Sequence, residues 1–160
     1  MSQADEGFWR RTTRVAMRWV MAVFYFSAGV VHLAAPERFL PIVPDFVPMP
    51  HAVVLVTGVC EIAGSVALLT KRLRRLAGVM LAIYAVCVFP ANIKHALEGI
   101  HVPPLPDGWW YHGPRLIMQP VLVWWALFCT GVVDWPWRKY RWPYSSRRGS
   151  SVQQNSGLGR

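Results

Sequence analysis

Apolar and polar residues fall into long separate blocks along this chain. Four stretches, residues 19–35, 52–70, 76–93 and 116–133, contain no Asp, Glu, Lys or Arg apart from Glu61. Each is about 17 to 19 residues, the short end of what an α-helix needs to cross roughly 30 Å of hydrocarbon. The pattern predicts four transmembrane helices, and helical spacing assigns each an inward face. Tyr25, Ala28, Gly29 and His32 form one stripe, and Glu61 shares a face with Thr57, Gly58, Gly64 and Ser65. Arg115, Gln119, Leu122, Ala126 and Cys129 form another. Small residues on such faces let helices approach and bring polar groups with them.

The connections carry their own signals. Five prolines lie between Pro36 and Pro50 and forbid a regular helix there, while Phe39, Leu40, Ile42, Val43, Phe46 and Val47 are too apolar for a freely solvated linker. Two readings follow: an ordered cap on the outer mouth of a bundle, or a loop dipping into the headgroups. The run KRLRR closes the second turn, and the third helix climbs through Tyr84 to Pro90, beyond which Asn92 and His95 share a face. The Pro-, Trp- and His-rich residues 99–113 predict a further part of the cap, and Pro114 is read as a first-turn proline opening the fourth helix. Residues 1–7 are expected to be loose, and the Ser/Gly/Gln-rich residues 145–160 to be a disordered tail. The expected division is an N-terminal cytoplasmic tail (1–14), a transmembrane domain (15–134) and a basic C-terminal tail (135–160).

Composition sharpens this picture. Of 160 residues, 54% are hydrophobic and 16% charged, too few charges for an ordinary soluble domain. Of the 17 Lys and Arg, all but Arg38, Lys94 and Arg115 lie in the N-terminal segment, the second connection or the C-terminal segment. The positive-inside rule then makes both termini cytoplasmic, with the prolines outside. Trp19, Trp135, Trp137 and Trp142 are expected at the inner interface, Trp109 and Trp110 at the outer. The net charge of +9 is a topology signal that favours anionic headgroups and, without a binding module, gives no warrant for nucleic acid. Arg10, Arg11 and Arg14 ahead of an apolar run resemble a signal peptide, but His32, Leu33 and Pro36 spoil the cleavage site, so the first helix is expected to be retained.

A carboxylate at the depth of Glu61, about 13 Å below the start of its helix, needs a partner, a proton or a water-filled cavity. The candidates that answer it are His32, Asn92, His95, Arg115 and Gln119, all expected in the outer half. Arg115 and Gln119 are expected to bridge toward Glu61 over the ~10 Å that separates their levels. The functional reading is an outward-open polar pocket that binds a small molecule or quinone headgroup and relays protons through His32 and Glu61. The plain reading is a buried cluster that fixes helix register, with Arg115 snorkelling to the interface. All five histidines lie on the expected outer side, yet no HxxxH, CxxCH or Cys/His cluster supports a metal, copper or haem. Cys60, Cys87 and Cys129 occur singly in three helices and read as small core residues. No phosphate loop or hydrolase triad is present.

The segments GVVHLAAPERFLPIVP, TGVCEIAGSVALL, VFPANIKHAL and RLIMQPVLVWW together resemble the successive motifs of the DoxX-like family of small bacterial membrane proteins. The resemblance implies an all-α four-helix bundle in the bacterial cytoplasmic membrane. It implies His32, Glu61, Asn92, Arg115 and Gln119 as characteristic polar positions, and an association with quinone-linked redox complexes. Two functional classes follow: a redox-linked subunit whose outer pocket engages quinone or a small reductant, and a non-catalytic scaffold or assembly factor whose polar cluster is structural. Redox protein partners or self-association would accompany either. Catalytic residues are not assigned.

Overall fold

The computed structural model describes residues 3–103, 106 and 108–136, with side chains from residue 7 onward. The chain is all-helical across them. Four α-helices, α1 (Gln3–Ala34), α2 (Pro50–Leu69), α3 (Arg74–Glu98) and α4 (Trp109–Cys129), are joined by short connections, and no strand occurs among the described residues. Helix α1 is 32 residues long. The expected loose segment is therefore helical from Gln3, because residues 3–18 contain neither proline nor an interior break beyond Gly7. Helix α3 runs unbroken through Pro90 and stops at Gly99, whose φ of 58° is the left-handed conformation that ends many helices. Helix α4 starts at Trp109, more than a turn before the predicted Pro114. Gly108, with φ 135°, sets the break, and Pro114 and Pro120 both lie inside the helix. The expected C-terminal tail lies outside the described residues from residue 137 on, and with it Trp137 and Trp142.

Among the described residues, three helices are long and apolar enough to cross a membrane: residues Gly7–Ala34 of α1, Pro50–Leu69 and Arg74–Glu98. Helix α4 does not join them on hydropathy, since His112, Arg115, Gln119 and two prolines interrupt its first half. The outward faces are apolar as well. Val20, Val23, Phe24, Val30, Val56, Val59, Val66, Met80, Ile83 and Val86 are all exposed. In water so large an apolar surface would drive aggregation, so these faces point to a lipid bilayer as solvent.

The helices pack in a ring, α1 on α2, α2 on α3, α3 on α4 and α4 back on α1. One end of the ring is filled by Met21, Ala22, Tyr25, Leu68, Ala77, Leu81, Ala82, Ala126 and Cys129. Only Cys129 is buried among the three cysteines; Cys60 and Cys87 are exposed on outward faces, which corrects the expectation that all three fill the core. Their register explains it: Cys60 precedes Glu61 by one residue, so it turns away from the face that buries the acid. Small residues set the helix spacing where backbones meet. A Cβ on Gly29 would lie 2.7 Å from the Gly58 carbonyl oxygen and 2.8 Å from Ile62 Cγ1, so α1 and α2 touch main chain to main chain. Near the same end as the apolar core, Arg14 bonds Asp134 and sits 4.9 Å above the Phe128 ring, tying α1 to the end of α4.

Residues 35–49 form an ordered strap of two 3₁₀ turns, Pro36–Arg38 and Leu40–Ile42. Ile42 is buried, and Lys94 on α3 donates to the Val43 carbonyl at 3.1 Å and to Asp45 Oδ1 at 2.6 Å. Phe39 stacks on the His32 ring at 4.1 Å. The segment thus packs on the ends of α1 and α3, while Phe46 and Met49 of the same segment are exposed.

Candidate functional site

Glu61 is placed by the inward face of α2, where Val54, Gly58, Glu61, Ser65 and Leu68 are buried at helical spacing. The acid is 4% exposed. Its Oε1 accepts a hydrogen bond from the Tyr84 hydroxyl of α3 at 2.7 Å. Its Oε2 lies 2.9 Å from His32 Nδ1 of α1. That nitrogen is also 2.9 Å from the Ala28 carbonyl, toward which its N–H is directed, so Oε2 keeps ion-pair distance from the ring but accepts no hydrogen bond. The close approach at Gly29 and Gly58 brings His32 to this level, since a Cβ on Gly58 would lie 3.0 Å from His32 Cβ. Tyr25, 3% exposed, packs edge-on against Tyr84 at 6.0 Å and closes the site from below. His32 is more open than the acid: its side chain is 20% exposed against 5% for Glu61, and Phe39 of the strap covers its face.

The remaining predicted residues assemble elsewhere, between α3 and α4. Arg115 donates through Nη1 to His95 Nδ1 at 2.7 Å and through Nη2 to Asn92 Oδ1 at 2.6 Å. Its guanidinium carbon lies 5.8 Å from the centre of the Tyr111 ring. His112 meets His95 edge to face at 4.6 Å, and Gln119 Nε2 donates to the Ala85 carbonyl at 2.7 Å. Asn92, His95, His112 and Gln119 are all buried. The expected bridge from Arg115 and Gln119 to Glu61 does not form, because both side chains are already held by α3. His32 and His95 likewise belong to different clusters.

Tyr84, the one hydroxyl that bonds Glu61, is the residue that reading the sequence for charge left out. Its signal was present: a tyrosine in an otherwise apolar helix, near mid-span, must find a partner for its O–H. Among the described residues no group of three or more His, Cys, Asp or Glu side chains is arranged to hold a metal.

The sequence model of one family, described as Domain of unknown function (DUF8561), matches residues 21–130. The chain belongs to the DUF8561 family. That match overturns the DoxX-like resemblance, and with it the family roles implied for His32, Glu61, Asn92, Arg115 and Gln119. The motifs behind the resemblance combine small residues, prolines and isolated polar groups in short apolar helices, features that packing in lipid imposes on many unrelated bundles. No curated protein and no solved structure matches the chain. The matched region of this DUF8561 chain runs from Met21 to Thr130 and so contains every residue of both polar clusters.

Proposed function

We propose that the chain is a multi-pass membrane protein of four helices, with both termini on the cytoplasmic side, whose Glu61–His32–Tyr84 cluster binds a small hydrogen-bonding ligand and exchanges a proton with it. The observation that carries this reading is Glu61 Oε2, a buried acceptor with no hydrogen-bond donor, 2.9 Å from the His32 imidazole, a side chain able to carry a proton. A buried carboxylate oxygen without a donor is costly, and a ligand hydroxyl or an acid proton relieves that cost. His32, partly exposed under the Phe39 lid, provides the route by which a proton reaches the acid. The concrete chemical form of this proposal is a redox-linked subunit that engages a quinone or a small reductant, since a quinol O–H is a donor of the required kind.

Helix α4 is the fourth membrane segment in this reading: its second half is apolar, and it closes the ring against α1 and α3. The lone basic residues Arg38, Lys94 and Arg115 then face outside, and the basic α2–α3 turn faces the cytoplasm. The bacterial cytoplasmic membrane is the compartment in which we place it.

A second reading, a scaffold or assembly factor, draws on the α3–α4 cluster, whose Arg115, Asn92, His95 and Gln119 contacts hold two helices in register. Titration of the detergent-solubilised protein with a water-soluble quinone analogue separates the two. Saturable binding that disappears in Glu61→Gln and His32→Ala supports the ligand site; no saturable binding, or binding indifferent to both variants, leaves the scaffold.

A further inference from the structure

We infer that Arg115 is the seat of a phosphate oxyanion, bound between α3 and α4 apart from the Glu61 cluster. The guanidinium of Arg115 is only partly exposed, yet the partners that it bonds, His95 Nδ1 and Asn92 Oδ1, are neutral acceptors. By accepting from Arg115, His95 Nδ1 carries no proton, so the imidazole on this side adds no positive charge and no negative one. No acidic side chain of the described residues pairs with Arg115: Glu37 meets His51, Asp45 meets Lys94, Glu61 meets His32, Asp134 meets Arg14, and Glu98, exposed at the end of α3, acts on Lys94.

A helix clamp alone does not need this arrangement. A neutral amide would donate to Asn92 and His95 without the cost of withdrawing a full charge from water, which buried cations recover only from an anion or from water. Two of the five guanidinium donors are spent on α3, and these two bonds fix the plane of the fork, so the others are presented in a set direction. A planar fork pre-oriented in this way matches two oxygens of a phosphate. The level within the bundle agrees with the source. Trp109 and Trp110, one to two turns before Arg115 on α4, are 63% and 72% exposed, as tryptophans are where hydrocarbon meets headgroups. The ligand is thus a phosphodiester headgroup or a free phosphate, chemically alike at the guanidinium.

The test is titration of the full-length protein in detergent with dioctanoyl phosphatidylglycerol and, separately, with inorganic phosphate at constant ionic strength. Dioctanoylglycerol, which lacks the phosphate, is the control. The expected result is one saturable site, weakened about tenfold or more in Arg115→Gln, as loss of charge-assisted hydrogen bonds implies. It should be unchanged in Arg72→Gln, which removes a charge from the exposed α2–α3 turn. Saturation by phosphatidylglycerol alone assigns a lipid headgroup; saturation by inorganic phosphate at the same Arg115-dependent site assigns the free anion. Binding by neither probe, equal binding in Arg115→Gln, or equal binding of dioctanoylglycerol overturns the proposal. Should Arg115→Gln fail to fold, Arg115→Lys decides: it keeps the charge and loses the fork, and undiminished affinity in it overturns the proposal as well. None of these outcomes bears on the Glu61 site, whose variants are separate.

Discussion

Glu61 shows how one residue can be foreseen in position and misjudged in company. Its burial follows from its place in an apolar helix, but its partners are the Tyr84 hydroxyl and the His32 ring rather than Arg115. Charge suggests the nearest cation as partner, whereas geometry lets the residue whose polar atom reaches the carboxylate win. Removing the hydroxyl leaves Glu61 Oε1 without its donor, so Tyr84→Phe is expected to cost about 1–3 kcal/mol in thermal or denaturant unfolding in detergent. Glu61→Gln combined with Tyr84→Phe should be non-additive, because the two groups share one hydrogen bond. Glu61→Gln combined with Arg115→Ala should add to within about 0.5 kcal/mol, because the pair shares none. A strong coupling in the second pair would show that the two polar clusters act as one.

Among the elements, the α1–α2 contact has the least room for change. A methyl on Gly29 meets the Gly58 backbone and Ile62, and main chain cannot step aside as a flexible side chain can. Gly29→Ala is therefore expected to destabilise by about 1–3 kcal/mol and to weaken quinone-analogue binding, since it pushes His32 away from Glu61. Gly7 in α1 has open space around its Cα, with nothing within 4 Å of an added Cβ. Gly7→Ala should be stabilising by roughly 0.5–1 kcal/mol, as expected for a helix glycine. Unfolding curves of the two variants check both signs, and similar effects from both would refute the close-approach account.

At the scale of the whole molecule, the ring of helices separates an apolar core from the polar clusters. Orientation is open to a direct check in a background with Cys60, Cys87 and Cys129 replaced. Asp45, whose side chain is 93% exposed, lies on the strap, and Leu73, 47% exposed, lies on the basic turn. A cysteine at Asp45 should react with an impermeant thiol reagent added to sealed cells, and one at Leu73 should react only after lysis. Labelling of Leu73→Cys in sealed cells would reverse the topology.

The sequence by itself determined the helical class, three of the four expected apolar spans, the proline-bounded strap and the burial of Glu61, because each depends on local pattern: run length, periodicity and the φ restriction of proline. Helix ends were less legible. Gly108 rather than Pro114 starts α4, and the polar N-terminal segment continues α1, since a helix already nucleated extends through any run without a breaker. Only the tertiary structure decided which polar groups meet. Partnership among Glu61, Tyr84 and His32, or among Arg115, His95 and Asn92, depends on the rotation of each helix about its axis and on how closely neighbours approach. Both are set by glycine contacts between segments distant in the chain, so no reading of one helix at a time contains them.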